Sequence, residues 1–272
     1  MIDLHLHTTA SDGRLAPAEL VRRVAAAGIT VMSVTDHDTV AGLTDVRAAA
    51  TAAGVELIDG IEITAVHEGR DVHMLGYFID TADAALGTFL QTQRSRRIAR
   101  VHDIGARLAS LGIAIDIPAL LAGAGRRPGA SVGRPVIARA LIDSGHVGSM
   151  QEAFDRYLAA GQPAFVPRQG PTPGEVVDVI HQARGLASMA HPGVTRQPAV
   201  MARLVDAGLD AIEVYHSDHN AELQRELLAF ASQHALLITG GSDYHGDDDR
   251  DRHLGRSTLP EGEYQRLVAA RA

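Results

Sequence analysis

Residues 3–12 read DLHLHTTASD, two histidines two positions apart with a carboxylate on either side. Ile2, Leu4 and Leu6 alternate with Asp3, His5 and His7, the period-two pattern of a β-strand, and residues two apart on a strand point to one face. His5 and His7 are therefore neighbours on the polar face. A half-exposed strand with a wet side and a strand presenting two metal ligands both fit this stretch, and a single His-x-His does not separate them. The rest of the chain has to decide.

Working outward, Pro17 to Ala27 reads as a helix, with Pro in its first turn and Gly28 after its end. Strand ITVMSVTDHD (29–38), helix TDVRAAATAAG (44–54) and strands VELIDGIEITAV (55–66) and DVHMLGYFI (71–79) follow. After a long interruption come helix 173–185, strand LASMAHPG (186–193), helix 198–208, strand AIEVYHSDH (211–219), helix 221–235 and strand LLITGGSDYHG (236–246). Repeated βα units with apolar strands predict an α/β fold with a largely parallel sheet. His5, His7, Asp12, His37, Glu62, His73, His191, Asp243 and His245 all fall at, within or just beyond the later part of these strands. In parallel α/β barrels those strand ends converge on one face, where sites form. The set predicts one centre for several metal ions.

Composition describes an ordinary globular protein of 272 residues, 46% hydrophobic and 21% charged. No apolar run is long enough for a bilayer, and no basic stretch followed by an apolar one opens the chain, so a cytoplasmic location without a membrane partner is expected. There is no Cys, which excludes disulfides and thiolate sites and leaves imidazole and carboxylate as ligands, a set suited to Mn, Fe or Zn. Histidine is abundant at 14 residues, and all 25 basic residues are Arg, whose forked guanidinium suits phosphate and carboxylate.

DLHLHTTASDG, TDHDT, GIE, the His of DVHMLGY, MAHPG and GSDYHG, in this order, resemble the motifs of the PHP (polymerase and histidinol phosphatase) family, over residues 2 to about 246 with a break in the middle. The resemblance implies a distorted (β/α)7 barrel carrying a trinuclear cluster that hydrolyses phosphoesters through a metal-bridging hydroxide. It implies His5 and His7 on one ion, with Asp243 and with Glu62 bridging to a second, which also takes His73 and His191. Asp12, His37 and His245 would hold the third. Up to three divalent ions are thus expected. His216 or His219, in VYHSDH, would protonate the leaving group, with His216 the candidate kept. Asp36 and Asp38 read as turn residues or as groups orienting His37. His67, His102, His146, His181, His234 and His253 read as surface or helix residues, and GDDDRDRH (246–253) as a solvated loop.

The interruption divides the chain into a barrel of residues 1–81 and 169–272 and a helical insertion (cap) subdomain of residues 82–168. Helix 86–112, a Gly-rich loop GAGRRPGASVGRP and helices 135–145 and 150–161 are expected in it. From Thr88 to Leu141 nine Arg stand against two acids, a charge of +7 that leaves −15 for the rest of a chain whose net charge is −8. A basic insertion over an acidic metal site suits a polyanionic substrate, although Arg94, Arg96, Arg97 and Arg100 also read in part as a solvated helix face. SVGRPVIARAL and EAFDRYLAAGQPAFVP resemble the insertion of PHP enzymes acting on nucleoside monophosphates and 3′,5′-bisphosphates, which implies Ser131 and Arg134 as phosphate ligands. Where that group often carries His after the Pro, this chain has Val136. The expected substrate is a small phosphorylated molecule, foremost a nucleoside 3′,5′-bisphosphate losing its 3′-phosphate, with AMP, histidinol phosphate or the 5′ end of a short RNA or DNA as alternatives. A charge of −8 and 4% aromatics disfavour a long nucleic-acid groove or a stable nucleic-acid complex.

Overall fold

A computed structural model describes residues 1–125, 133–195, 197–246 and 253–271. Seven strands stand side by side in chain order: β1 (Ile2–Leu6), β2 (Val31–Val34), β3 (Glu56–His67), β4 (Arg70–Tyr77), β5 (Leu186–Met189), β6 (Ala211–Tyr215) and β7 (Leu237–Gly240). Past β7, Tyr244 bridges back to Leu6, and the His7 amide donates to the Tyr244 carbonyl at 3.0 Å. The sheet thus nearly closes on itself as a distorted (β/α)7 barrel.

The strands are parallel except β4, which runs antiparallel to both β3 and β5. Only a short turn at Glu68 and Gly69 joins β3 to β4, and a tight hairpin has no room for the helical crossover that parallel strands need. The inversion has a consequence for the site. His73 lies in the first half of β4, not the later part, yet it pairs with Thr64 and so stands at the same barrel end as the C-terminal ends of the other strands.

Helices α1 (Pro17–Ala26) and α2 (Leu43–Ala53) cover β1 and β2, burying Leu20, Val21, Val24, Leu43 and Val46 against Leu6, Met32 and Val34. The other flank is covered by α7 (Pro173–Gln182), α9 (Pro198–Asp206), α10 (Ala221–Gln233) and α11 (Glu261–Ala270). The strand expected over 186–193 ends at Met189, because the short α8 (Pro192–Thr195) follows, and α11 extends the fold beyond the last expected strand. Strands β6 and β7 also stop early, leaving His216, Asp243 and His245 on the loops beyond them.

The insertion holds α3 (Ala84–Ser110), α4 (Ile117–Gly125), α5 (Arg134–Asp143) and α6 (Met150–Ala153), which continues into a π-helical turn, Phe154–Leu158. Helix α4 fills the gap between the expected helix 86–112 and the expected Gly-rich loop, and takes in the first three residues of that loop. Asp83 caps α3 by accepting from the Leu86 amide at 2.8 Å. The first turns of α3 rest on the barrel through Leu86, Phe89 and Leu90, while Val101, Ile104 and Leu108 enter a separate core with Ile137, Leu141 and Leu158. One helix therefore roots the insertion in the barrel.

Closure depends on Gly241. A Cβ there would sit 2.4 Å from the His5 amide nitrogen and 2.5 Å from its Cβ. These are strand atoms that move only if β1 and β7 part. Gly241→Ala is expected to cost about 1–3 kcal/mol, as overpacking does, lowering Tm and loosening metal affinity together. An unchanged Tm would show that the closure has slack.

Candidate metal centre

Alternation along β1 turns Asp3, His5 and His7 to the barrel interior, where all three are fully buried. The opening strand has no wet face. His5 Nε2 lies 3.4 Å from both Glu62 Oε2 and Asp243 Oδ1, and His7 Nε2 lies 3.3 and 3.1 Å from the same two atoms. Ligand atoms about 2.1 Å from a shared ion stand roughly 3.0–3.4 Å from one another, so this spacing fits a divalent ion. Glu62 turns its other oxygen, Oε1, to His73 Nδ1 at 2.8 Å and His191 Nε2 at 3.1 Å. On the outer side Asp12 Oδ1 is 3.3 Å from His245 Nε2, and Asp12 Oδ2 is 3.7 Å from His37 Nε2. His37 Nδ1 returns to Glu62 Oε2 at 3.1 Å. All nine ligand candidates fall in overlapping groups of side chains, and Glu62 faces five of the imidazoles.

The donors also carry the mark of a metal site. Both ring nitrogens of His7, and Nδ1 of His37 and of His73, are buried without an aligned hydrogen bond. His73 Nδ1 is close to Glu62 but off the line a hydrogen bond needs, as expected when ligands aim at a point between them. A buried polar atom left unpaired costs about 1–3 kcal/mol, and several together imply an ion. His191 and Asp243 also adopt left-handed backbone conformations (φ 27° and 52°) that non-glycine residues avoid. Such strain gathers at functional sites.

Burial and charge divide the imidazoles. Burial opposes protonation of His5, but the Glu213, Asp243 and Glu62 carboxylates outweigh it and hold its pKa well above the ordinary value. His245 is likewise buried, yet Asp12 and Asp243 raise it to about 9. His37 must share Glu62 with its neighbours, so burial wins and lowers it to about 3. Burial would raise Glu62 and Asp243, but the imidazoles around them, His37, His73 and His5 for Glu62 and His5 and His7 for Asp243, keep both well below the usual carboxylate range. Metal ions would take over this charge balance.

Three buried carboxylates behind the ligands, Glu213, Asp3 and Asp36, fix the loops around the cluster. Glu213, fully buried on β6, accepts from His5 Nδ1 at 2.9 Å and from the His191 amide at 2.7 Å. It thereby turns His5 Nε2 toward the cluster, as carboxylates behind metal-binding histidines do. A lone acid inside the apolar run AIEVY was the available signal. Asp3 accepts from the Ser242 amide at 2.9 Å, and burial raises its carboxyl to about 6. Asp36 accepts from the Thr8 amide, the Thr8 hydroxyl and the Ser11 hydroxyl at 2.8, 2.6 and 2.6 Å, tethering the loop that carries Asp12.

His216 and His219 both face inward. His216 is fully buried, its Nδ1 accepting from the Asp218 amide at 3.1 Å and its Nε2 3.4 Å from Asp243 Oδ2. His219 spends both ring nitrogens on backbone, donating to the Val214 carbonyl at 2.9 Å and accepting from the Gly193 amide at 3.1 Å. Of the histidines read as peripheral, His181 pairs with Asp210 at 2.7 Å and His234 packs on Phe230. None of the six joins a metal-type group among the described residues.

Above the cluster a cavity of 380 Å³ is bounded by Asp12, His37 and His73 on the barrel side. Arg96, Arg97, Arg100, Arg134 and Arg168 line its other walls. Arg134, at the start of α5, lies between the Phe154 and Phe165 rings at 5.8 and 5.7 Å and donates to the Leu158 carbonyl at 3.3 Å. Val136 also lines this cavity. Burial first, then the neighbouring Arg168 charge, lowers Arg97 to about 9, leaving it charged at neutral pH. Cations crowded in this way favour an anionic occupant. Ser131 and residues 247–252 of the acidic run lie outside the described residues.

The PHP domain matches residues 3–112 of this chain. The 5′-3′ exoribonuclease Rnm of Escherichia coli K12 is 37% identical over 89% of this chain and 84% of its own length. The 3′,5′-nucleoside bisphosphate phosphatase of Chromobacterium violaceum is 34% identical over 94% of this chain and 91% of its own. A solved structure from Bifidobacterium adolescentis, described as a metal-dependent phosphoesterase, superposes with a TM-score of 0.84 at 30% identity, covering 98% of this chain and 95% of that one. With the barrel, the convergent ligands and these relatives in agreement, the chain belongs to the PHP family and is a metal-dependent phosphoesterase.

Proposed function

We propose that the enzyme removes the 3′-phosphate from nucleoside 3′,5′-bisphosphates, using up to three Mn, Fe or Zn ions held by His5, His7, Asp12, His37, Glu62, His73, His191, Asp243 and His245. The observation that carries this reading is the shared cavity: cluster residues form one wall and five arginines the others. A substrate with two phosphates reaches both. Bound ions would supply Lewis-acid charge and an acidified water. The chain's own part is positioning. Arg134, with Ser131 as its expected neighbour, holds the remote phosphate, so that binding energy far from the reacting centre orients the phosphorus to be attacked. Water adds to that phosphorus, the O3′–P bond breaks, and the ribose oxygen gains a proton. His219 spends both ring nitrogens on backbone, so of the two histidines His216, beside Asp243, is the one placed to supply that proton or to orient Asp243.

A second reading has support of its own. A second cavity of 640 Å³ between α3 and α7 shares Gln93 and Arg96 with the first, giving room for a chain beyond the first nucleotide. An exonucleolytic cut that leaves a 5′-phosphate on the shortened strand breaks the same O3′–P bond, so one site serves either substrate.

The test compares kcat/KM for adenosine 3′,5′-bisphosphate, 3′-AMP, AMP, histidinol phosphate and a 5′-phosphorylated short RNA at equal metal loading. The bisphosphate is expected to lead. A clear lead for the RNA selects the second reading, and a preference for histidinol phosphate or equal turnover of all five overturns both. Arg134→Ala should lower kcat/KM for the bisphosphate by roughly one to two decades, the effect of losing a charge-assisted hydrogen bond, with metal content intact. Undiminished turnover would remove Arg134 from the site.

A further inference from the structure

Asp38 follows His37, and its side chain is almost completely buried. Its Oδ1 accepts from the Thr64 amide at 2.9 Å, which fixes the carboxylate on β3. Its Oδ2 receives two guanidinium groups from different parts of the chain. Arg97 of α3 forms an ion pair with it, and Arg168, on the segment returning from the insertion, approaches at 3.5 Å while also donating to Asp71 at 3.1 Å. Both arginines line the cavity above the cluster. Asp38 itself holds a left-handed backbone conformation (φ 53°), and its amide donates to the Glu62 carbonyl at 2.7 Å.

We propose that Asp38 is a positioning residue that sets the pocket arginines at a fixed distance from the metal cluster. Its backbone is tied to Glu62, its neighbour His37 reaches into the cluster, and its carboxylate grips one arginine from the insertion and one from the returning segment. An arginine side chain is long and rotamer-rich, so without an anchor it would give up conformational freedom each time it met a phosphate. The buried carboxylate orders Arg97 and Arg168 before substrate arrives and partly offsets the repulsion between them. It also tells the insertion where the reacting phosphorus will lie. This inference rests on the reading of a substrate with a remote phosphate.

The experiment uses the metal-loaded enzyme with Asp38→Asn, Arg97→Ala and both together. It compares adenosine 3′,5′-bisphosphate with a simple aryl phosphate that lacks a second anion, and metal content is measured alongside. Asp38→Asn should reduce kcat/KM for the bisphosphate about tenfold, chiefly through KM, with a loss at least about fivefold smaller on the aryl phosphate. The double variant should be no worse than the poorer single one, since both changes disable one unit. Equal losses on the two substrates, lost metal, or additive effects of the two changes would overturn the proposal. If the wild type shows no preference for the bisphosphate, the two-phosphate reading fails. The clamp is then judged on whichever phosphoester is turned over, where additivity of Asp38→Asn and Arg97→Ala still refutes it.

Discussion

Replacing Glu62 by Ala is expected to lower kcat/KM by roughly a thousandfold or more, about 4 kcal/mol of transition-state stabilisation, and to reduce bound metal by more than one ion per chain. Glu62 is fully buried and faces five imidazoles, Oε2 toward His5, His7 and His37 and Oε1 toward His73 and His191. Removing it takes a shared ligand from more than one ion and leaves those rings with little negative charge to face. Loss of one peripheral ligand such as His245 touches a single edge of the cluster and should be milder. Glu62→Gln separates charge from shape, keeping an oxygen but not the anion, and should fall near the Ala variant. Elemental analysis with steady-state kinetics decides. Full metal content with more than about a tenth of the activity would mean that Glu62 joins no two ions.

Stripping the metals should abolish hydrolysis and make stability depend on pH in a way the loaded enzyme does not share. In the metal-free chain His245 titrates near 9, above the ordinary histidine value of 6.5. A raised pKa stabilises the fold fully below the unfolded value and loses that contribution as pH climbs through the folded one. The metal-free Tm should therefore decline between about pH 6.5 and pH 9, by an amount worth at most ~3 kcal/mol from this group. Carboxylates act in the opposite direction. Glu62 and Asp243, held below their ordinary range, stabilise the metal-free chain above about pH 4 and lose this as pH falls further. A bound imidazole carries no proton on its ligating nitrogen, so the gap in Tm between loaded and stripped protein should widen from pH 7 to pH 9. Thermal unfolding with and without chelator measures it. A constant gap would place His245 outside the metal shell, and full activity in chelator would refute a metal mechanism altogether.

What the sequence made legible follows from what is local. His5 and His7 declare a shared face because strand alternation is a short-range rule. The remaining ligands could be grouped because strand ends of a barrel must converge. The parallel α/β sheet was readable from the run of βα units and the barrel from the family resemblance, whereas the β3–β4 hairpin, which reverses β4, was not. Residues whose role depends on distant partners stayed hidden. Nothing near Glu213 distinguishes it from a stray acid until β6 is set beside β1. Arg97 and Arg100 on α3 have the spacing of a solvated helix face, and their burial exists only because the insertion folds back over the barrel. Asp36 and Asp38 look alike in TDHDT, yet one secures the loop bearing Asp12 and the other grips arginines. His216 stood at a strand end, as the ligands do, but β6 stopped one residue before it and the ring turned inward behind Asp243.

The closure of β7 onto β1 bears on when the enzyme becomes active. Asp3 and Ser242, which must meet for that closure, are 239 positions apart, and His5 and Glu213 are 208 apart. During synthesis at about 5–20 residues per second, a nascent chain therefore spends most of its time on the ribosome with Asp12 and Glu62 already made but Glu213 and Asp243, the other carboxylates facing its opening histidines, still to come. The insertion, whose core draws only on residues 101–166, is complete much earlier. The second hydrophobic core is thus made before His191, Asp243 and His245. The full ligand set exists only once the loop beyond β7, with Asp243 and His245, has been made.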